Sequence, residues 1–140
     1  MIVADDADLR ALLERSTTIA MVGASPNPAR PSRGVFDALI RGGRFAVTPV
    51  NPVVTEIDGI AAFPSLAAYA AERGAPDVVD VFRNPGDAPE VTREAIAAGA
   101  KAIWFQLGVV NDAAIAAADA AGLDVVVDRC IKVEIARLLR

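Results

Sequence analysis

The chain contains no histidine and only one cysteine, Cys130, among its 140 residues. A single cysteine cannot close an intramolecular disulfide, and a zinc site of His and Cys ligands needs about three or four of them. Sites that pair a serine or cysteine nucleophile with a histidine base are excluded as well. Acidic residues are present, but no cluster has the density that a magnesium site requires. The sequence therefore predicts no metal site and no catalytic residue.

Extended apolar stretches are also missing. Apolar runs such as residues 113–118 end at charged residues or glycine, well short of the roughly 18 residues that span a bilayer. Residues 1–8 hold three aspartates and no basic residue, unlike the positively charged start of a secretory signal. The composition, 54% hydrophobic and 23% charged, is sufficient for one hydrophobic core. We expect residues 1–140 to form a single soluble, cytoplasmic domain that does not bind membranes.

Positive charge is concentrated in the first third of the chain. The net charge is −4, yet residues 15–55 hold five arginines and one acid, while the remainder holds nine basic and seventeen acidic residues. Solvated surface charges are the simple explanation, but the pattern favours an anion-binding site built by this segment. No nucleic-acid partner is predicted, because the overall balance is acidic and no basic run is interleaved with aromatic residues.

Apolar strand-like runs alternate with alanine-rich helical runs along the whole sequence. The predicted strands are residues 17–22, 45–50, 77–82, 101–106 and 124–127. The predicted helices are residues 5–15, 32–41, 65–73, 85–98, 111–122 and 130–139, with Ser32 as a helix cap. This alternation indicates an α/β fold, a Rossmann-like doubly wound parallel sheet of five strands with helices on both faces. The expected strand order is 3-2-1-4-5.

Ligands of such sheets bind outside the carboxyl ends of the strands, so the first loop, residues 23–34, is a candidate site. Its sequence, GASPNPARPSRG, contains neither of the familiar glycine-rich phosphate signatures. Arg30 and Arg33 instead flank Ser32 at a predicted helix start, where backbone N–H groups and guanidinium groups together suit a phosphate. The alternative is a proline-rich turn with solvated arginines.

The other strand ends carry further candidate ligand groups. The second strand ends in Val-Asn-Pro at residues 50–52, without the acid that binds a ribose 2′-hydroxyl in dinucleotide enzymes. Phe82 and Arg83 end the third strand, where they can stack on a base and contact a phosphate. Asp80, in mid-strand, is expected to pair with an arginine or cap a helix rather than to be an isolated buried acid. Gln106 is the polar group at the end of the fourth strand.

Cys130 follows the fifth strand at a predicted helix N-terminus. That position lowers the pKa of a thiol and makes it reactive. The alternative is a small buried packing residue, which free cysteines commonly are.

Five segments of the chain share a recognisable order and spacing: VGASPNPARPS, VTPVNP, DVVDVFR, GAKAIWFQLG and VVVDRCIKVE. In these segments, which span residues 17–139, the chain resembles the small stand-alone CoA-binding proteins. That family is similar to the CoA-binding N-terminal domain of the succinyl-CoA synthetase α-subunit. The resemblance implies a Rossmann-like fold with coenzyme A or an acyl-CoA as ligand.

The resemblance also assigns residues to parts of the ligand. Around the phosphates it places Gly23, Ala24, Ser25, Arg30, Pro31, Ser32 and Arg33. At the adenosine end it places Val50, Asn51 and Pro52, and along the rest of the groove Phe82, Arg83 and Gln106. Two positions depart from the family pattern, because Ile135 stands where a histidine is common and Phe105 where methionine is common. The phosphorylated histidine of the synthetase lies in a separate domain, so ligase chemistry is not implied.

The residues and the resemblance agree on a nucleotide with several phosphates as the ligand. We therefore predict a protein that binds coenzyme A or an acyl-CoA without catalysis of its own. Two alternatives stay open: an NAD(P)-dependent enzyme on the same fold, and a thiol sensor in which Cys130 forms a mixed disulfide with CoA. The acyl group, the oligomeric state and a partner enzyme that supplies catalysis are left open by the sequence.

Overall fold

The computed structural model describes residues 1–139. Its strands are β1 Thr18–Val22, β2 Ala46–Val50, β3 Glu56–Ile57, β4 Ile60–Ala61, β5 Val78–Val81, β6 Ala102–Phe105 and β7 Asp124–Val127. Its helices are α1 Asp6–Arg15, α2 Pro31–Gly42, α3 Leu66–Arg73, α4 Ala88–Ala97, α5 Asp112–Ala120 and α6 Ile131–Leu138. A short 3₁₀ turn, Pro85–Asp87, precedes α4. No helix within residues 1–139 has both the length and the hydropathy of a membrane span.

Five of the strands form one parallel sheet in the order β2-β1-β5-β6-β7. The predicted Rossmann-like α/β class is confirmed. When Phe63, which forms a parallel bridge with Val50 beside β2, is counted as a position of its own, the six positions have the order 3-2-1-4-5-6, which begins with the 3-2-1-4-5 pattern. The segment expected in that outer position, residues 77–82, instead provides β5, which lies between β1 and β6. The sequence missed the Phe63 position because a single bridge needs no run of apolar residues.

The side chains of each central strand alternate between two cores. Ile19 and Met21 of β1 pack into a cluster that also contains buried residues of α1, α2 and α6. Ala20 and Val22 pack into a second cluster with buried residues of α3, α4 and α5. Both faces of the sheet are therefore covered, which explains why its strands are mostly apolar. The sheet itself can therefore contact a ligand only at its strand ends, within the part of the chain that the structure describes.

A two-stranded antiparallel hairpin, β3 and β4, lies between β2 and α3. Asp58 and Gly59 form its turn with φ values of 50° and 81°. Left-handed φ at both central residues is typical of the tight turns that favour Asp-Gly in hairpins. This hairpin is absent from the predicted elements, although its Asp-Gly pair, between Ile57 and Ile60, is the sequence signal for it.

Helix α2 begins earlier than the sequence suggested. Arg30 is its N-cap residue and Pro31 its first helical residue, a position that suits the fixed φ of proline. The predicted capping role of Ser32 is therefore wrong. The Ser32 hydroxyl is buried and instead accepts a hydrogen bond from the Ser25 N–H at 3.1 Å, which ties the first loop to the helix.

Gly23 brings the end of β1 against the end of β5. Its φ is +85°, and a Cβ atom at this position would lie 2.0 Å from the Phe82 carbonyl oxygen. We predict that Gly23→Ala lowers the free energy of unfolding by about 2–5 kcal/mol, from backbone strain plus the clash. Gly59→Ala is the matched control, because φ is +81° there but nothing lies within 4 Å of a new Cβ. Urea denaturation should show a loss of only about 1 kcal/mol for the control, and equal losses would contradict the role of the close approach.

Candidate functional site

A cleft of about 540 Å³ opens at the carboxyl ends of β1, β5 and β6. The first turn of α2 and the start of α6 form its sides. Nine of the predicted site residues line it: Gly23, Ser25, Arg30, Pro31, Ser32, Phe82, Arg83, Gln106 and Cys130. Four further residues that were not predicted complete the lining: Val35, Asn84, Leu107 and Val109. Each of the four follows a predicted residue within three positions. The sequence therefore predicted the correct loops, but not every residue of them that lines the cleft.

The two arginines of the first loop have different surroundings. Arg30 is exposed at the cleft, and its side chain makes no hydrogen bond or ion pair within residues 1–139. Arg33 does not line the cleft. Its Nε donates to Asp37 Oδ1 at 3.0 Å, its Nη1 to the Pro26 carbonyl oxygen at 2.9 Å, and its Nη2 to the Asp58 carboxylate. Arg33 therefore connects the first loop to the hairpin, which leaves Arg30 as the free guanidinium.

The predicted adenosine residues lie beside the cleft rather than in it. Val50 and Pro52 line a neighbouring pocket of about 240 Å³, and Arg83 lines both that pocket and the cleft. The same pocket carries three acidic residues, Asp87, Glu90 and Glu94. Arg83 Nη2 lies 3.3 Å from Asp87 Oδ2, and both side chains are exposed. The two pockets therefore share a cationic side chain, which is paired with one of the three acids of the smaller pocket.

Asn51 and Ala24 have internal contacts instead. The Asn51 Nδ2 donates to the Ala24 carbonyl oxygen at 2.8 Å, and its Oδ1 accepts from the N–H groups of Val53 and Val54. Ala24 is fully buried. These two residues fix the ends of β1 and β2 relative to each other. They therefore support the cleft without lining it.

A buried carboxyl lies next to the cleft. Asp80 of β5 is fully buried, and its Oδ1 accepts a hydrogen bond from Nε2 of Gln106. The expected arginine partner or helix cap is therefore wrong, because the register of β5 and β6 brings an amide to this carboxyl instead. Burial raises the pKa of Asp80 to about 7, against a smaller lowering effect of the Gln106 hydrogen bond. A group with this pKa changes protonation near neutral pH.

Cys130 is the N-cap residue of α6, as its sequence position suggested. Its side chain is half-buried and makes no capping hydrogen bond. It lines the cleft together with Arg30 and Gln106. The thiol is therefore within reach of a ligand that fills the cleft.

The lining of the cleft is positively charged. Arg30 and Arg83 are its charged residues, and none of its lining residues is acidic. The N–H of Ser32 lies in the first turn of α2, where no carbonyl group of the helix can accept a hydrogen bond from it. A helix N-terminus and two guanidinium groups favour an anion such as a phosphate, while Val35, Leu107 and Val109 provide apolar contact.

This combination of sheet, crossover helices and cleft defines a protein of the Rossmann-like class. The chain belongs to the CoA binding domain family, whose model matches residues 17–136. The chain is 37% identical over 127 residues to the uncharacterized protein YneT of Bacillus subtilis (strain 168), a match that covers 91% of each chain.

Solved structures share the fold of this chain. A hypothetical protein from Pyrococcus horikoshii OT3 is 39% identical, with a TM-score of 0.90 over 98% of this chain and 94% of that one. The dinucleotide forming acetyl-coenzyme A synthetase 1 of Ca. Korarchaeum cryptofilum, in complex with phosphate and ADP, is 23% identical with a TM-score of 0.68. The match covers 78% of this chain and 25% of the synthetase chain, and at this identity it shows the shared fold alone.

Proposed function

We propose that this protein binds coenzyme A or an acyl-CoA in the cleft at the carboxyl ends of β1, β5 and β6. The observation that carries the proposal is the unpartnered Arg30 guanidinium beside the first turn of α2, in a cleft without acidic lining residues. A charge-assisted hydrogen bond to a phosphate is worth about 1.5–3 kcal/mol. Membership of the CoA binding domain family supports CoA as the nucleotide.

The charges of the two pockets favour one orientation of the ligand. The phosphates lie in the cleft near Arg30 and Arg83, because the acids of the smaller pocket repel them. The adenosine end lies toward Val50 and Pro52, which are uncharged, with its ribose 3′-phosphate at Arg83, which lines both pockets. The pantetheine arm then extends along the cleft toward Gln106.

The proposed role is binding without catalysis. Apart from its two arginines, the cleft is lined by one titratable side chain, that of Cys130. General acid–base catalysis needs a group that exchanges a proton with the substrate near neutral pH. Asp80 has a pKa of about 7 but is fully buried behind Gln106, so it does not face a ligand.

Ligand-dependent stability tests this proposal. We predict that CoA at about 100 times its Kd raises the free energy of unfolding by roughly 2.7 kcal/mol. Acetyl-CoA should act in the same way, and the Tm should rise by several degrees. NADP at the same concentration is the control for an NAD(P)-dependent enzyme. No shift with millimolar CoA or acetyl-CoA, or a larger shift with NADP, would reject the proposal.

A further inference from the structure

Gln106 is a nearly buried polar residue on the wall of the cleft. Its exposure is 3%, and it directly follows β6. The next cleft residues along the chain, Leu107 and Val109, have side chains that cannot form hydrogen bonds. The Gln106 carboxamide is therefore the polar group that this wall offers to a ligand.

The contact with Asp80 determines which end of the amide is offered. A carboxamide carries its NH2 and its oxygen on opposite sides. Nε2 of Gln106 donates to Asp80 Oδ1, so Oε1 faces the other way. Oε1 has no hydrogen-bond partner within residues 1–139. It is also not among the fully covered unpartnered atoms, which are Asp80 Oδ2 and Thr92 Oγ1. The oxygen is therefore the end that is accessible from the cleft.

We propose that Asp80 is a positioning residue that holds Gln106 Oε1 toward the cleft, where this oxygen selects a ligand group with a hydrogen-bond donor. The inference rests on the proposed binding of CoA. In CoA the available donors along the pantetheine arm are its hydroxyl, its amide N–H groups and its thiol. The phosphates, which only accept hydrogen bonds when ionised, belong at Arg30.

The first test replaces Gln106 with methionine, a side chain of similar length without an amide. Isothermal titration calorimetry should show that Gln106→Met weakens CoA roughly two- to tenfold. The 3′-phosphorylated ADP fragment, which lacks the pantetheine arm, should bind both proteins equally. Unchanged CoA affinity, or equal losses for CoA and the fragment, would overturn the inference.

Acetyl-CoA identifies the donor in the same experiment, because it has the amides but no thiol. Wild-type protein that binds CoA more tightly than acetyl-CoA, with the difference absent in Gln106→Met, assigns the donor to the thiol. Equal affinities with equal losses in the variant assign it to an amide or to the hydroxyl of the pantetheine arm. Failure of the wild-type protein to bind CoA at all would instead reject the proposed function.

The second test addresses Asp80 itself. In Asp80→Asn the new amide can present either its oxygen or its NH2, so Gln106 loses its single orientation. We expect CoA to bind about twofold more weakly, and the fragment to bind as before. The Gln106 side-chain NH2 signals in an ¹⁵N-labelled sample should also lose the shift caused by the carboxylate. A merely structural role would weaken both ligands alike, and unchanged NH2 signals or unchanged CoA affinity would overturn the positioning role.

Discussion

Replacing Arg30 with alanine is expected to weaken CoA binding roughly 10- to 100-fold, which corresponds to the loss of a charge-assisted phosphate contact of about 1.5–3 kcal/mol. The guanidinium lines the cleft and has no partner within residues 1–139, so it does not have to leave an existing ion pair to bind a phosphate. The stability of the free protein should change little for the same reason. Calorimetric titration of CoA into both proteins at one salt concentration measures the effect.

Arg44→Ala is the matched control for this variant. Arg44 is exposed and precedes β2 at the amino end of the sheet, opposite the cleft. Both substitutions remove one positive charge, so a difference between them reports a local contact and not the overall charge. Equal losses in the two variants would contradict a specific phosphate contact at Arg30.

Arg33→Ala separates the two arginines of the first loop. Arg33 is held by Asp37 and Asp58, so its loss should destabilise the hairpin connection and lower the stability of the free protein. Its effect on CoA affinity should be smaller than that of Arg30→Ala. A larger loss of CoA affinity in Arg33→Ala than in Arg30→Ala would instead assign the phosphate contact to Arg33, which the sequence favoured as much as Arg30.

Asp80→Asn is expected to change how stability depends on pH. An unfolded aspartate loses its proton near pH 4, whereas burial raises the pKa of folded Asp80 to about 7. Between these values the folded state binds a proton that the unfolded state does not, so raising the pH favours unfolding. The penalty is absent below about pH 4 and complete above about pH 7. The variant cannot ionise, so its stability relative to wild type should rise by about 4 kcal/mol from pH 4 to pH 8.

Asp77→Asn is a control with the opposite sign. Burial opposes the ionisation of Asp77, but hydrogen bonds from the N–H groups of Thr17 and Thr18, together with Lys101, lower its pKa overall. Its contribution to stability is therefore present above the unfolded pKa and is lost as the pH falls. Urea unfolding at several pH values should show the Asp77 variant losing most stability at high pH. A difference between wild type and Asp80→Asn that stays constant with pH would contradict the buried, protonated carboxyl.

The sequence predicted the sheet well because its strands are short apolar runs separated by amphipathic or alanine-rich helices. The predicted strand 124–127 has the same bounds in the structure, and the other main strands end within one residue of their predicted ends. The cleft could be predicted for the same reason, since the carboxyl ends of parallel strands share one edge.

Contacts between side chains distant in sequence were harder to predict. Arg33 appeared equivalent to Arg30, because its partner Asp58 lies in a hairpin whose short strands show no periodicity. The pairing of Asp80 with Gln106 depends on the register between β5 and β6, which the sequence does not show. In both cases the residue type was noticed, but its partner was determined by the tertiary fold.

Mapping of the binding site by ¹H–¹⁵N chemical shifts during a CoA titration tests the central claim most directly. Shifts should concentrate at the backbone amides of Gly23, Ser32, Phe82, Arg83 and Gln106, which line one cleft. Amides at the opposite edge of the sheet, such as that of Arg44, should not move. The absence of shifts at saturating CoA, or shifts centred on the amino ends of the strands, would contradict a CoA site in this cleft.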